Sequence, residues 1–144
     1  MSQNRATTYG VLAVSHIAQK QADGHESGIV AKDVAETFGL PTAYAAKVMS
    51  QLARARILRS VRGPRGGFVL AQDAKDITVC QVVEAIDGSI DGAADVADTA
   101  MPDALKQVFA EASEARREKL DSMTIADGIG TKKTKKSKQK AAAE

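Results

Sequence analysis

Apolar residues recur every third or fourth position in five stretches of the chain, and this spacing predicts amphipathic helices. The predicted helices cover residues 8–21, 31–38, 41–55, 79–87 and 102–123. Their ends carry suitable residues: Gly39 and Gly88 can terminate the second and fourth helices, and Thr78 can cap the start of the fourth. Pro41 suits the first turn of the third helix, where its missing amide would have no partner.

Between the third and fourth helices the pattern changes to that of two short strands. Residues 57–61 and 68–70 are β-prone, and Gly-Pro-Arg-Gly-Gly at 63–67 separates them. Glycine permits positive φ and proline fixes φ, so this segment should reverse the chain and pair its flanks as a hairpin. Helices two and three, joined by a short turn containing glycine, form a helix-turn-helix pattern. A hairpin directly after that pattern is typical of a winged helix, so the predicted fold is mostly α with a small β wing.

Three regions follow from these elements. Residues 1–75 form the predicted winged helix-turn-helix, expected to bind DNA. Residues 76–130 hold a connecting helix, an acidic loop at 88–100 that we expect to be flexible, and a long helix. Residues 131–144 are rich in lysine and are expected to be disordered and able to add nonspecific DNA affinity.

The long helix carries an apolar stripe that has little of its own domain to cover it. Pairing with a second copy would bury that stripe, which predicts a homodimer. Docking on its own domain remains the alternative. The predicted dimerisation residues are Leu105, Val108, Phe109, Ala112 and Leu120.

The formal net charge of +2 hides an asymmetry along the chain. Because residues 131–144 contribute six lysines and one glutamate, residues 1–130 carry −3. Residues 37–72 contain no Asp or Glu and carry +6, from Lys47 and five arginines. A wholly basic third of the domain within acidic surroundings is expected of a phosphate-binding face, although chance clustering of surface charge is the alternative.

The predicted DNA-contacting face of the third helix carries small, polar or basic side chains. Short side chains allow a helix to lie deep in a major groove. With the wing, the candidate DNA-binding residues are Thr42, Ala43, Tyr44, Ala46, Lys47, Ser50, Arg59, Arg62, Gly63 and Arg65.

Other classes of function find little support in the sequence. It shows no Ser-His-Asp or Cys-His arrangement and no phosphate-cradling loop that opens a helix, so we expect no enzyme. No apolar run could span a bilayer and the N-terminus lacks a secretory signal, which predicts a cytoplasmic protein. Cys80 is the single cysteine; a structural thiol is favoured over a redox switch, because Glu84 and Asp87 oppose the helix dipole. His16 is expected to pack in its helix stripe, and His25 is at best a weak metal ligand.

Several strings of the chain resemble the Rrf2 family of bacterial winged-helix regulators, the family of IscR, NsrR and CymR. The resemblance covers about residues 5–128. Its strings are Tyr44, Leu52, Ser-Val-Arg-Gly-Pro at 60–64, Gly-Gly-Phe at 66–68, Leu-Ala at 70–71, Ile-Thr-Val at 77–79, Val-Glu-Ala-Ile-Asp-Gly at 83–88 and Met-Thr-Ile-Ala-Asp at 123–127.

The resemblance implies a homodimer that binds a partly palindromic operator. The third helix would enter the major groove and Arg62 of the wing the minor groove, with Thr42, Tyr44, Lys47 and Arg65 contacting phosphates or groove edges. The chain has alanine at 43 and 46, where relatives carry polar residues, so more specificity must come from thymine methyls and DNA shape.

Cluster-binding members of that family carry three cysteines in the loop before the long helix. Residues 88–101 contain none, and one cysteine cannot supply the several thiolates of an iron–sulfur cluster. No cofactor is therefore expected, and the effector, whether protein or small molecule, stays open.

The leading hypothesis is a sequence-specific transcriptional regulator, most simply a repressor. A protein-interaction module that docks a metabolic enzyme, motivated by the acidic loop, is a second hypothesis. A nonspecific, lysine-tailed nucleoid-associated DNA binder is a third.

Overall fold

A computed structural model describes residues 5–130 of the chain. Six α-helices and a two-stranded antiparallel sheet make up the fold, which confirms the predicted class. The elements in chain order are α1 (Arg5–Ala22), α2 (Ala31–Phe38), α3 (Thr42–Arg54), β1 (Leu58–Val61), β2 (Gly67–Leu70), a 3-10 turn (Ala74–Asp76), α4 (Val79–Asp87), α5 (Gly92–Val96) and α6 (Asp103–Asp121).

The core joins the first three helices, the hairpin and α4. Its fully buried side chains come from all of these elements, so the wing and the helices share one apolar interior. The largest of them are Ile17, Met49, Leu52, Leu58, Ile77, Val14, Val34 and Val82.

The helix ends follow the local sequence. Gly39 ends α2 in the left-handed region, with φ 67° and ψ 41°. Thr78 and Gln81 form a capping box at the start of α4, in which each side chain accepts the other residue's backbone N–H. Pro41 is the residue just before α3, one position earlier than predicted.

The hairpin has the predicted strands in a tight register, with Leu58 opposite Leu70 and Val61 opposite Gly67. The loop between α1 and α2 docks against it, because Ile29 forms a β-bridge with Phe68. In that bridge the Ile29 amide donates to the Phe68 carbonyl at 2.9 Å, and the Phe68 amide donates to the Ile29 carbonyl at 2.8 Å. The wing therefore has a third backbone support that sequence periodicity did not predict.

The acidic segment 88–100 is not simply a flexible loop, and that prediction was wrong. Residues Gly92–Val96 form α5, which the Asp91 carboxylate caps by accepting from the Ala93 and Ala94 amides. Ile90 and Val96 are buried, and Gly92 lies against Ser113 and the Phe109 carbonyl of α6. Burial of these residues fixes the segment on α6 despite its charge.

After α6 the chain returns to the winged helix. The Val79 amide donates to the Met123 carbonyl at 3.0 Å, and the Ile125 amide donates to the Ile77 carbonyl at 2.8 Å. Residues 125–130 form a last helical segment, and Ile125 is buried in the core. Both ends of α6 thus lead back to the same domain.

Two further observations bear on the predictions. No helix within residues 5–130 is long and apolar enough to cross a bilayer. The predicted lysine-rich segment, 131–144, lies outside the described residues.

Candidate nucleic-acid interface

The outer face of α3 presents the small and polar side chains that the sequence predicted. Thr42, Ala43, Lys47 and Ser50 are exposed, and Ala46 is half-buried. On the opposite face Ala45, Val48, Met49 and Leu52 are buried. The helix therefore offers a low-relief surface with one cation while its other face anchors it in the core.

Tyr44 lies at the boundary between these faces and is half-buried. Its ring meets the ring of Tyr9 of α1 edge-on, with centroids 5.8 Å apart. Such edge-to-face contact restrains the ring. Tyr44 is thus held at the rim of the exposed face rather than free in solvent.

The tip of the wing is a tight turn at residues 63–66. The Gly66 amide donates to the Gly63 carbonyl at 2.9 Å, with Pro64 and Arg65 at the centre of the turn. Gly63 has φ 107°, which favours glycine. The Gly28 amide donates to the Arg65 carbonyl at 2.9 Å, so the α1–α2 loop holds the backbone behind this arginine.

The cations of α3 and the wing have no carboxylate partners in the described part of the chain. Arg59, Arg62, Arg65 and Lys47 are exposed. The ion pairs found between residues 5 and 130 join Lys32 to Glu36, Lys75 to Asp73 and Arg117 to Glu84. The basic side chains therefore keep their charge available for an anionic partner.

The stripe predicted for dimerisation is largely exposed on α6. The exposed fractions are 53% for Leu105, 60% for Val108 and 50% for Phe109, and Ala112 is also exposed. Leu120 differs, since it packs within the protomer against the cluster of Cys80, Val83 and Ile90. The open part of the stripe thus lies in the first half of the helix.

Cys80 is buried, and its thiol faces a carboxylate. The Sγ atom donates to Glu84 Oε1 at 3.7 Å, and the same oxygen accepts from Arg117 Nη1 at 2.8 Å. Burial raises the pKa of the Cys80 thiol, Glu84 and Asp121 add to the rise, and Arg117 opposes it. The environment resembles that of a structural thiol, in line with the reading favoured from sequence.

The two histidines differ in setting. His16 is half-buried, with its ring edge-on to Phe38 at 5.7 Å between centroids. Burial and the charge of Lys20 lower the pKa of His16, against an opposing effect of Asp33. His25 is exposed in the α1–α2 loop. Across residues 5–130 no group of three His, Cys, Asp or Glu side chains is placed to hold a metal ion.

Sequence reasoning missed two features of this surface. The docking of Gly28 and Ile29 onto the hairpin gave no periodic signal, because it joins parts of the chain nearly 40 positions apart. Arg56, which was not among the candidate site residues, lines a groove behind β1 and has φ 61°. Only the absence of a glycine after α3 could have drawn attention to it.

Comparison with known proteins follows from this geometry. A family model described as "Rrf2: Iron-dependent Transcriptional regulator" matches residues 3–130. The HTH-type transcriptional regulator IscR of Photobacterium profundum is 34% identical over 87 residues, which is 60% of this chain and 51% of the relative. IscR of Photorhabdus laumondii is 33% identical over the same length and is matched over 53% of its own. The chain thus spans about half the length of these curated relatives.

Solved structures extend the likeness to the whole domain. The structure of T. potens IscR has a TM-score of 0.74 at 28% identity, with 90% of this chain and 87% of that one covered. The structure of CymR, the global cysteine regulator of B. subtilis, has a TM-score of 0.73 at 24% identity, with 90% and 97% covered. The second likeness bears on the fold alone.

Proposed function

Since the chain belongs to the Rrf2 family of transcriptional regulators, we propose that it is a homodimeric repressor that binds a specific DNA operator. The observation that carries this proposal is the combination of α3 and the wing. An exposed helix face of small side chains adjoins a hairpin whose arginines lack carboxylate partners in residues 5–130. A family of regulators, with no catalytic arrangement in the sequence, also argues against an enzyme.

In the proposed complex α3 lies in the major groove. Ala43 and Ala46 bring methyl groups to the base edges, where they suit thymine, while Thr42, Lys47 and Ser50 bond phosphates or bases. Arg62 and Arg65 of the wing reach the neighbouring minor groove, whose negative potential is strongest in narrow A·T-rich stretches. Because few side chains can make bidentate base contacts, DNA shape carries much of the specificity.

The dimer is proposed to form through α6. Leu105, Val108 and Phe109 form an exposed apolar patch, which a second copy would remove from water. A two-fold dimer would present two copies of α3 to a palindromic site, with half-sites about one helical turn apart.

We also propose that the protein works without an iron–sulfur cluster, despite the iron dependence in the family description. The donor set does not fit one. Cys80 is the one cysteine of the sequence, is buried, and bonds Glu84. The segment before α6 has neither cysteine nor histidine, and α5 packs there against α6. A cluster needs several thiolates, so the signal must reach the protein by another route.

The test is selection of bound fragments from the source genome, followed by fluorescence anisotropy on the enriched sequence. Arg62→Ala should weaken binding at least fivefold and reduce the slope of log K against log salt by about one. Arg116→Ala on α6 removes the same charge away from the interface and should leave both values unchanged. Equal affinity of the wild type for enriched and random duplexes would refute sequence-specific recognition.

Sedimentation velocity tests the dimer separately. Phe109→Asp should shift the protein from dimer to monomer, because a charge would replace an apolar contact in a desolvated interface. Glu111→Gln, at a neighbouring exposed position, is the matched control and should remain dimeric. A wild type that is monomeric at micromolar concentration would exclude the proposed dimer.

A further inference from the structure

The C-terminus of α3 adopts a geometry that normally calls for glycine. The Ile57 amide donates to the Leu52 carbonyl and the Arg56 amide to the Ala53 carbonyl, both at 3.0 Å. These two bonds define a Schellman motif in which Arg56 is the left-handed residue, with φ 61°. Leu52 and Ile57 are both buried, as the hydrophobic contact of such a motif requires.

Arg56 is the one non-glycine residue with positive φ among residues 5–130. The chain itself shows the usual solution at the end of α2, where Gly39 has φ 67°. Left-handed backbone is strained for a residue with a β-carbon, and such strain persists where the side chain or its position has a use. The question is therefore what the Arg56 side chain does.

Arg56 lies at the edge of a surface groove behind β1. The groove has a volume of about 600 Å³, and its lining includes Arg56, Arg59, Ser60 and Gln72. Gln72 Nε2 donates to the Arg56 carbonyl at 3.0 Å and so holds the strained backbone in place. Neither arginine has a carboxylate partner in the described chain.

We propose that this groove is a second anion site, which binds a phosphate group between Arg56 and Arg59. Guanidinium groups match phosphate oxygens through paired N–H donors, and the Ser60 hydroxyl can add another donor. Arg59 is three residues from Arg62 along the same strand, about 10 Å at strand spacing. The groove thus extends the interface of the proposed function, on which this inference rests for its DNA source, from the tip of the wing to its base.

Two sources can supply the phosphate: a phosphodiester of the bound duplex or a free phosphate anion. In the first arm, Arg56→Gly is compared with the wild type on the enriched duplex. We expect binding to weaken about threefold to tenfold and the salt slope to fall by about one. The melting temperature should rise by about 2 °C, because glycine adopts the left-handed conformation without strain. Higher stability with weaker binding is a combination that a merely structural arginine would not produce.

Arg59→Gln supports the same reading without touching the backbone motif, and Arg116→Ala is the charge control. In the second arm, inorganic phosphate is added to DNA-free protein at constant ionic strength. Protection of the wild type against thermal unfolding, lost in Arg56→Gly and Arg59→Gln, would assign the groove to a free anion. If the two variants match the wild type in both arms, the proposal is overturned.

The two proposals fail differently. A wild type that binds no duplex defeats the proposed function, and the phosphate arm still tests the groove. Loss of binding in Arg62→Ala with wild-type behaviour of Arg56→Gly and Arg59→Gln in both arms defeats the groove alone.

Discussion

The contact between the α1–α2 loop and the wing makes a strong prediction for Gly28. A β-carbon at this position would lie 2.7 Å from the Gly67 amide nitrogen and 2.9 Å from two backbone carbons of the wing, those of Gly66 and Gly67. Carbon atoms prefer separations of about 3.5–4.0 Å, so the loop and the wing would have to part by roughly 1 Å. All three obstructing atoms belong to the backbone, and no side chain can rotate away.

Separation of this size would break the bonds that join the loop to the hairpin. The Gly28 amide would lose the Arg65 carbonyl, and the two-way pairing of Ile29 with Phe68 would stretch. A net value of about 0.5–1.5 kcal/mol for each bond, and about 1–3 kcal/mol for overpacking in general, place the loss near 2–3 kcal/mol. For a chain of this size the melting temperature should fall by about 5–10 °C.

Urea denaturation and thermal melting of Gly28→Ala measure this loss, and anisotropy on the enriched duplex measures its consequence. Because the loop holds the backbone behind Arg65, DNA affinity should fall together with the salt slope. Gly128→Ala is the control: its β-carbon would meet only Met123 Sδ, at 4.0 Å, and stability should stay within about 0.5 kcal/mol. A Gly28→Ala variant with wild-type stability would refute the docking of the loop on the wing.

Three further predictions concern the helices. The folded pKa of His16 is lowered, so the unfolded chain binds more protons at acid pH; the unfolding free energy should therefore fall as pH drops below about 6.5, and His16→Gln should remove that part of the pH dependence in urea titrations. Because burial and Glu84 raise the pKa of Cys80, iodoacetamide at pH 7.5 should label the native thiol at least tenfold more slowly than the urea-unfolded one, and equal rates would contradict its burial. Glu84→Ala removes the acceptor shared by Arg117 and the Ile90 amide, and should cost about 1–2 kcal/mol in urea unfolding, whereas Glu111→Ala should cost under about 0.5 kcal/mol.

The sequence alone determined the elements that depend on local chemistry. Helical periodicity gave α1 to α4 and α6 to within a few residues, and Gly39 and Thr78 marked their ends as predicted. The Gly-Pro-Arg-Gly-Gly segment gave the hairpin, because turn geometry is a property of those residues themselves. The basic stretch and the family strings then pointed to a regulator without a structure.

Tertiary structure decided what depends on contacts between distant segments. Residues 88–100 looked too polar to order, yet Ile90, Gly92 and Val96 bury against neighbouring elements and hold α5 on α6. Leu120 was assigned to a dimer stripe, but the fold places it against Cys80. The left-handed backbone of Arg56 is fixed by amide bonds across the end of α3 and by Gln72, sixteen residues later. Periodicity records which face of an element is apolar, but only the assembled fold determines which partner covers that face.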